Sequence, residues 1–209
     1  MRLAENVTTL RDRIRRDGLR AAFAKAAQVL RDRIAPPAET FYWLPVSEAA
    51  QIDLPPHGCL RVIRSLGELT SAERLAVERS IGAASVEIWR ERLARGLEAH
   101  LLFIDERLAA SRFVIWGTAH PFHHVLLTPK DTMSMDLRVD PDFRGQGAAT
   151  AFFSQSLQDL ARRGCERAYA TVAVNNEPAN RTFLRLGFRP LVRWRHGRGG
   201  YRYEKDPVR

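Results

Sequence analysis

Between residues 133 and 174 the order strand, glycine loop, helix, strand leaves few folds open. Met133–Val139 alternates as a strand, and Asp140-Pro141 breaks it. Arg144-Gly145-Gln146-Gly147 leads into a helix running to about Arg163, with Ala149, Phe153, Leu157 and Leu160 on one stripe. Arg162 and Arg163 suit the negative end of that helix, and Gly164 suits its C-cap. Residues 167–174 are almost continuously apolar, as a buried parallel strand requires. A strand, crossover helix and strand close right-handed, so the spacing predicts a parallel pair within an α/β fold.

Such a unit holds anions. The first N–H groups of a helix lack internal partners, and the helix dipole adds positive charge there. Glycines admit a phosphate to the backbone, and Arg144 brings a full charge. A bare glycine turn is the structural alternative. A Walker loop would need Lys followed by Ser or Thr, where Ala148-Ala149 stands. A dinucleotide fingerprint would need a third glycine at Thr150 and an acid near Val174 or Asn175.

A third phosphate loop fits these residues. Val139-Asp140-Pro141 precedes Arg144-x-x-Gly147-x-Ala149, and Asn176, Ala179, Phe183 and Gly187-Phe188 follow in order. Over residues 133–190 the chain resembles the GNAT superfamily of acyl-CoA-dependent N-acyltransferases. The resemblance implies a mixed, mostly antiparallel twisted sheet flanked by helices. A central parallel strand pair would splay apart after residue 137 to admit CoA. It further implies that the amides of Gly145, Gln146, Gly147, Ala148, Ala149 and Thr150, with Arg144, cradle the pyrophosphate of acetyl-CoA. Main-chain groups of Leu137 and Val139 would pair with the pantetheine arm, and Asn176 would hydrogen-bond it. The Leu137 N–H would polarise the thioester carbonyl.

The acid and base are less legible. Relatives often carry a proton-donating Tyr where Phe183 stands; Tyr169, Tyr201 and Tyr203 remain as donors, each also readable as structural. Some relatives place a Glu where Thr171 stands. Asp136, an acid in an apolar strand beside the expected thioester, is the first candidate base, with a salt bridge to an Arg as its alternative. His120, His123 and His124 come second; a zinc site there would have poor ligand spacing, and no metal is expected. Glu87 and Glu91 could line an acceptor pocket or lie on a solvated helix face. Cys165 falls at a helix C-terminal end, where the dipole disfavours a thiolate, so direct transfer is expected without a covalent acyl-enzyme.

Upstream, residues 40–46 read as a short edge strand on account of Pro45, and 60–65 as a strand. Residues 71–96 read as two helices broken near Gly82, and 100–105 and 108–117 as strands joined by a turn at Asp105-Glu106-Arg107. Residues 118–131 read as a loop-rich insertion, and 189–204 as a hairpin turning near Gly197–Gly200. Residues 1–34 read as a basic amphipathic helix, kinked or split into two shorter helices at Gly18, with Leu3, Val7, Leu10 and Ile14 on one face. Pro36-Pro37 ends it, so the expected division is a helical extension over 1–37 and an acyltransferase domain over 38–209.

Charge separates the ends from the middle. Residues 1–34 carry 9 Lys/Arg against 4 Asp/Glu, residues 185–209 carry 8 against 2, and residues 35–184 carry 16 against 18. The basic helix can lie on an anionic membrane, pack on its own domain or form a homodimer seam. Arginines interleaved with aromatics near Trp194 can contact nucleic acid, but at hairpin spacing they are more simply the last strands. No apolar run approaches the ~20 residues of a membrane span, and Met1–Arg16 lacks a signal-peptide core. Two cysteines in 209 residues make no disulfide framework. The expected address is cytoplasmic, with contact at the inner face of a membrane left open. The expected activity is transfer of acetyl to a primary amine of a small molecule, an amino sugar or amino acid. A protein N-terminal or lysine acetyltransferase is the alternative; a CoA-binding, membrane or nucleic-acid module without turnover is the alternative of another class.

Overall fold

The computed structural model describes residues 38–117, 127–197 and 200–203, with backbone alone for residues 83–84, 196–197 and 200–203. The basic segment 1–37 and His120, His123 and His124 lie outside the described residues.

Among the described residues eight strands form one sheet: β1 (Glu39–Pro45), β2 (Gly58–Ile63), β3 (Glu98–Ile104), β4 (Arg107–Trp116), β5 (Asp131–Val139), β6 (Arg167–Ala173), β7 (Arg189–Gly197) and β8 (Gly200–Tyr203). Their order is β2-β3-β4-β5-β6-β1-β7-β8. Only β5 and β6 run parallel; the other neighbours are antiparallel. Among the described residues four helices flank the sheet: α1 (Ser71–Ile81), α2 (Ala83–Ala94), α3 (Ala148–Arg162) and α4 (Glu177–Arg185). Among the described residues no helix is long and apolar enough to cross a membrane.

Strand alternation distributes side chains to two cores. Phe41, Phe113 and Met133 pack with Val77, Trp89 and Leu93 of α1 and α2. Tyr42, Leu44 and Val114 pack on the other face with Phe153, Leu157 and Phe183 of α3 and α4. Thr70 caps α1 in a box with Glu73, and Gly82 at φ 81° separates α1 from α2. The β3–β4 turn is tighter than the sequence suggests. Asp105 and Glu106 both take positive φ, as a two-residue hairpin with right-handed twist requires, and Arg107 already lies in β4.

One strand lies elsewhere than expected. Residues 39–45 are not an edge but sit between β6 and β7. Pro45 remains compatible because the ladder to β7 ends at Trp43↔Arg189, two residues before the proline.

Beneath α3 lies a buried polar chain. Glu98 and His100 of β3, Arg112 of β4, Ser134 of β5 and Ser156 of α3 are all at most 9% exposed. Ser156 hydrogen-bonds both His100 Nδ1 and Arg112, and Arg112 also donates to Ser134 Oγ at 2.8 Å. Arg64 and Arg163 hold Glu98 Oε1. His100 Nε2 lies 3.7 Å from Glu98 Oε2, an electrostatic contact beyond hydrogen-bond reach.

Burial pushes the His100 imidazole down to about 4, against the opposing pull of Glu98. Burial would raise the Glu98 carboxyl, but its neighbours His100, Arg163 and Arg64 together hold it well below the usual carboxylate range. Both groups act in the same direction. Below about pH 6.5 the unfolded chain takes up a proton that buried His100 refuses; below about 4.5 it takes up another that Glu98 refuses. Stability therefore falls as pH falls. Between pH 7 and 5 the His100 contribution amounts to about 2 kcal/mol. Chemical denaturation at both pH values should show this loss, and His100→Gln should flatten it. Equal slopes in the two proteins would exclude His100 as its source.

Candidate active site

The parallel pairing of β5 with β6 covers only Asp131–Ser134 against Arg167–Ala170. Both strands continue, β5 to Val139 and β6 to Ala173, without pairing further. The splay therefore opens after Ser134, three residues earlier than the sequence suggested. Asp131, wholly buried, anchors the closed end: Arg167 donates to both its oxygens at 2.7 and 2.9 Å, and the Thr128 N–H donates at 2.7 Å.

A bulge accounts for the position of Asp136. In the β4–β5 ladder Ser111 opposes Arg138 and Phe113 opposes Met135, so Arg112 faces two residues, Asp136 and Leu137. Asp136 takes φ 50°, a left-handed conformation unusual for a residue with a side chain. The bulge turns the peptide carrying the Leu137 N–H out of strand alternation. Leu137 packs on the α3 face, whereas Asp136 reaches α2 and forms an ion pair with Arg92. The salt bridge weighed as the alternative for Asp136 is thus present. It engages Oδ2 and leaves Asp136 about half exposed.

Beyond the bulge, Pro141–Phe143 makes one 3-10 turn, with the Asp140 side chain accepting from the Asp142 N–H. Gly145 and Gly147 follow at φ 75° and 79°, and Gly147 is the N-cap of α3. A Cβ at either glycine would meet no heavy atom within 4 Å. The loop is therefore a shallow cradle, with glycine required by backbone angle while the space before it stays open. The first turn of α3 begins with Thr150 and Ala151 donating to the Gly147 carbonyl. The N–H groups of Ala148 and Ala149 precede the intrahelical pattern. Arg144 and Gln146 brace the loop from within: Arg144 Nε donates to the Val139 carbonyl at 3.1 Å, and Gln146 Nε2 donates to the Asp142 carbonyl at 2.8 Å. The carbonyl of Val139, a residue whose main-chain groups were expected to pair with pantetheine, thus already has a protein partner. Arg144 remains exposed, and its terminal nitrogens can reach an anion. This arrangement fits a pyrophosphate.

Asn176 lies on the other side of the splay as the exposed N-cap of α4, its Oδ1 accepting from the Ala179 N–H at 3.4 Å. Sequence reasoning missed its neighbour Asn180. Asn180 Nδ2 donates to the carbonyls of Ala173, Val174 and Asn176, and its Oδ1 accepts from the Tyr42 hydroxyl at 2.8 Å. These bonds fix the start of α4 to the end of β6. Phe183 is buried among Tyr42, Phe153 and Phe188, with ring centroids 4.8–5.7 Å away.

The remaining candidates separate from this centre. Tyr169 is buried and stacks on Phe41 at 5.4 Å, and burial raises its hydroxyl pKa. Tyr201 and Tyr203 fall on β8, where the backbone alone is described. Glu87 pairs with Arg90 on an exposed helix face, and Glu91 is exposed. Thr171 lies on β6 past the last residue paired with β5. Burial raises the Cys165 thiol, opposite to what a nucleophile needs. Among the described residues no group of three or more His, Cys, Asp or Glu comes together as a metal site.

Residues 89–188 match the sequence model of the acetyltransferase (GNAT) family. No curated protein matches the chain by sequence. Among solved structures, a tandem GNAT protein from the clavulanic acid biosynthesis pathway is 20% identical with a TM-score of 0.58, over 86% of this chain and 57% of that one. A GNAT-family acetyltransferase from Colwellia psychrerythraea is 15% identical with a TM-score of 0.53, over 74% and 53%. The glucosamine N-acetyltransferase region of a fungal multi-domain β-N-acetylglucosaminidase is 13% identical with a TM-score of 0.54, over 82% of this chain and 22% of that one. At these identities the likeness is one of fold. The chain spans a little over half the length of the first two.

Proposed function

Residues 89–188 are a GNAT acetyltransferase domain, and from that premise we propose that the protein transfers acetyl from acetyl-CoA to a primary amine of a small molecule. The family uses acetyl-CoA as its co-substrate. One observation carries the reading. The splay after Ser134, the bulge at Asp136–Leu137 and the cradle at Gly145–Ala149 succeed one another along 16 residues of chain. Each supplies one requirement: a slot for the pantetheine arm, a re-aimed N–H beside a carboxylate, and donors for the pyrophosphate.

In this reading Arg144 and the amides from Gly145 to Ala149 hold the pyrophosphate, the Thr150 N–H being already bonded to the Gly147 carbonyl, and Asn176 and Leu137 flank the arm. The free amine attacks the thioester carbonyl; a C–N bond forms and the C–S bond breaks. Negative charge developing on the carbonyl oxygen is opposed by the Leu137 N–H. Asp136 accepts the proton that nitrogen loses, and the thiolate departs as a tolerable leaving group near neutral pH. Alignment of the two reactants supplies much of the acceleration. An amino sugar or an amino acid is the acceptor class favoured by the sequence, and a protein amine is the alternative.

Calorimetric titration with acetyl-CoA, with NADH and ATP as controls, tests the premise; saturable binding of acetyl-CoA alone is expected, and preference for a control nucleotide would overturn it. Asp136→Asn should lower turnover about 100-fold, within the range of general-base catalysis, while leaving acetyl-CoA affinity nearly intact. Full activity of that variant would remove Asp136 from the mechanism.

A further inference from the structure

We propose that the acceptor is a zwitterion, an amine bearing a carboxylate on the same or the neighbouring carbon, and that Arg92 and Asp136 read its two charges together. The inference rests on the acyl-transfer reading above. The bulge sends Asp136 to the α2 side beside the Leu137 N–H, where an incoming amine would stand. Arg92 comes from the last turn of α2, its guanidinium 4.9 Å from the centroid of the Phe113 ring. That ring is held in turn by the edge of Trp89 at 5.1 Å. The cation therefore has a fixed platform rather than a free arm.

The closest contact of the ion pair is between Nη1 and Oδ2. The two side chains stay 28% and 52% exposed, and the guanidinium and carboxylate each carry more donor or acceptor sites than a single contact uses. So exposed a pair adds little to folding, which leaves its place beside the bulge unexplained by stability. Its field selects between ligands. A bare ammonium approaching the pair meets attraction from Asp136 and repulsion from Arg92 at similar distance, so the two nearly cancel. An amine with an adjacent carboxylate meets both with the correct sign, its nitrogen on Asp136 and its carboxylate on Arg92. The same placement sets the nitrogen against the group that takes its proton.

The test is a panel of α- and β-amino acids, each assayed beside its primary amide and its decarboxylated amine, with acetyl-CoA binding measured in parallel. At least one amino acid should be acetylated with kcat/KM about 10- to 100-fold above its amide and amine, the range for one charge-assisted hydrogen bond. Arg92→Gln should raise KM for that acid about tenfold or more, a larger loss than on its amide, and Arg92→Lys should recover part of the loss. Equal use of amides or bare amines would overturn the inference. So would the absence of any acetylated amino acid with a protein that binds acetyl-CoA. Absence of acetyl-CoA binding would remove the acyl-transfer reading, and the inference with it.

Discussion

Gly147→Trp is expected to weaken acetyl-CoA binding by about 100-fold or more, to the point where calorimetry detects no heat. The expectation separates two properties of this glycine. Its φ of 79° lies in the left-handed region, so any side chain incurs conformational strain of about 1–2 kcal/mol. Yet a Cβ there meets no heavy atom within 4 Å, so no protein group has to move. Gly147→Ala therefore carries the strain alone; it should lower stability by that amount and change affinity only a few-fold. Gly147→Trp carries the same strain and also fills the space before the amides of Ala148 and Ala149. The two variants should melt alike and bind differently. Affinity of the Trp variant within a few-fold of the parent would show that the pyrophosphate is not held at this loop. An equal loss in both variants would assign the effect to strain.

The parts of this site legible in the sequence are those fixed by short-range chemistry. Gly145 and Gly147 are glycines because of their φ, Asn176 caps α4 through its own side chain, and Pro178 stands in the first turn of that helix. Such features need only neighbours a few residues away. Strand position is a different matter. Residues 39–45 pair with 167–173 and 189–194, and no pattern within seven residues encodes partners so distant. Pro45 suggested an edge because a proline cannot donate to a ladder, but one ladder ends before reaching it. The start of the splay, which the family resemblance puts after residue 137, lies at Ser134, where pairing of β5 with β6 stops; no local pattern marks that point either. Arg112 and His100 were missed although a usable signal existed. Each is a titratable side chain in a mostly apolar strand, an oddity like the one that singled out Asp136. What the sequence could not supply was the partner, since Ser134 and Ser156 are not distinctive residues.

Arg112 is expected to separate stability from function when shortened in two ways. It is 1% exposed, lies 3.9 Å from the centroid of the Phe153 ring, and among the described residues its hydrogen-bond partners are Ser134 and Ser156, with no carboxylate. Burial pushes its guanidinium down to about 9, so it still carries charge at neutral pH in a place that disfavours charge. Arg112→Ala removes a large side chain from a packed interior and strips a donor from Ser134 and Ser156. A loss of about 3–5 kcal/mol is expected in chemical denaturation, as for other large-to-small core changes. Arg112→Met keeps most of the volume and removes the buried cation, an exchange that often leaves stability unchanged or improved; its stability should stay within about 1.5 kcal/mol of the parent. If packing were the only role of Arg112, the Met variant would also be fully active. Its two partners argue otherwise. Ser134 is the last residue of β5 to pair with β6, and Ser156 belongs to the helix whose first turn forms the anion cradle. Arg112 therefore ties the fork of the slot to the body of α3, opposite the bulge that carries Asp136. Without that tie the fork and the cradle can shift relative to one another, and misalignments of about 1 Å cost as much as 100-fold in rate. Arg112→Met should thus keep its melting transition and lose about tenfold or more in kcat/KM, whereas a stable and fully active Met variant would confine Arg112 to the core.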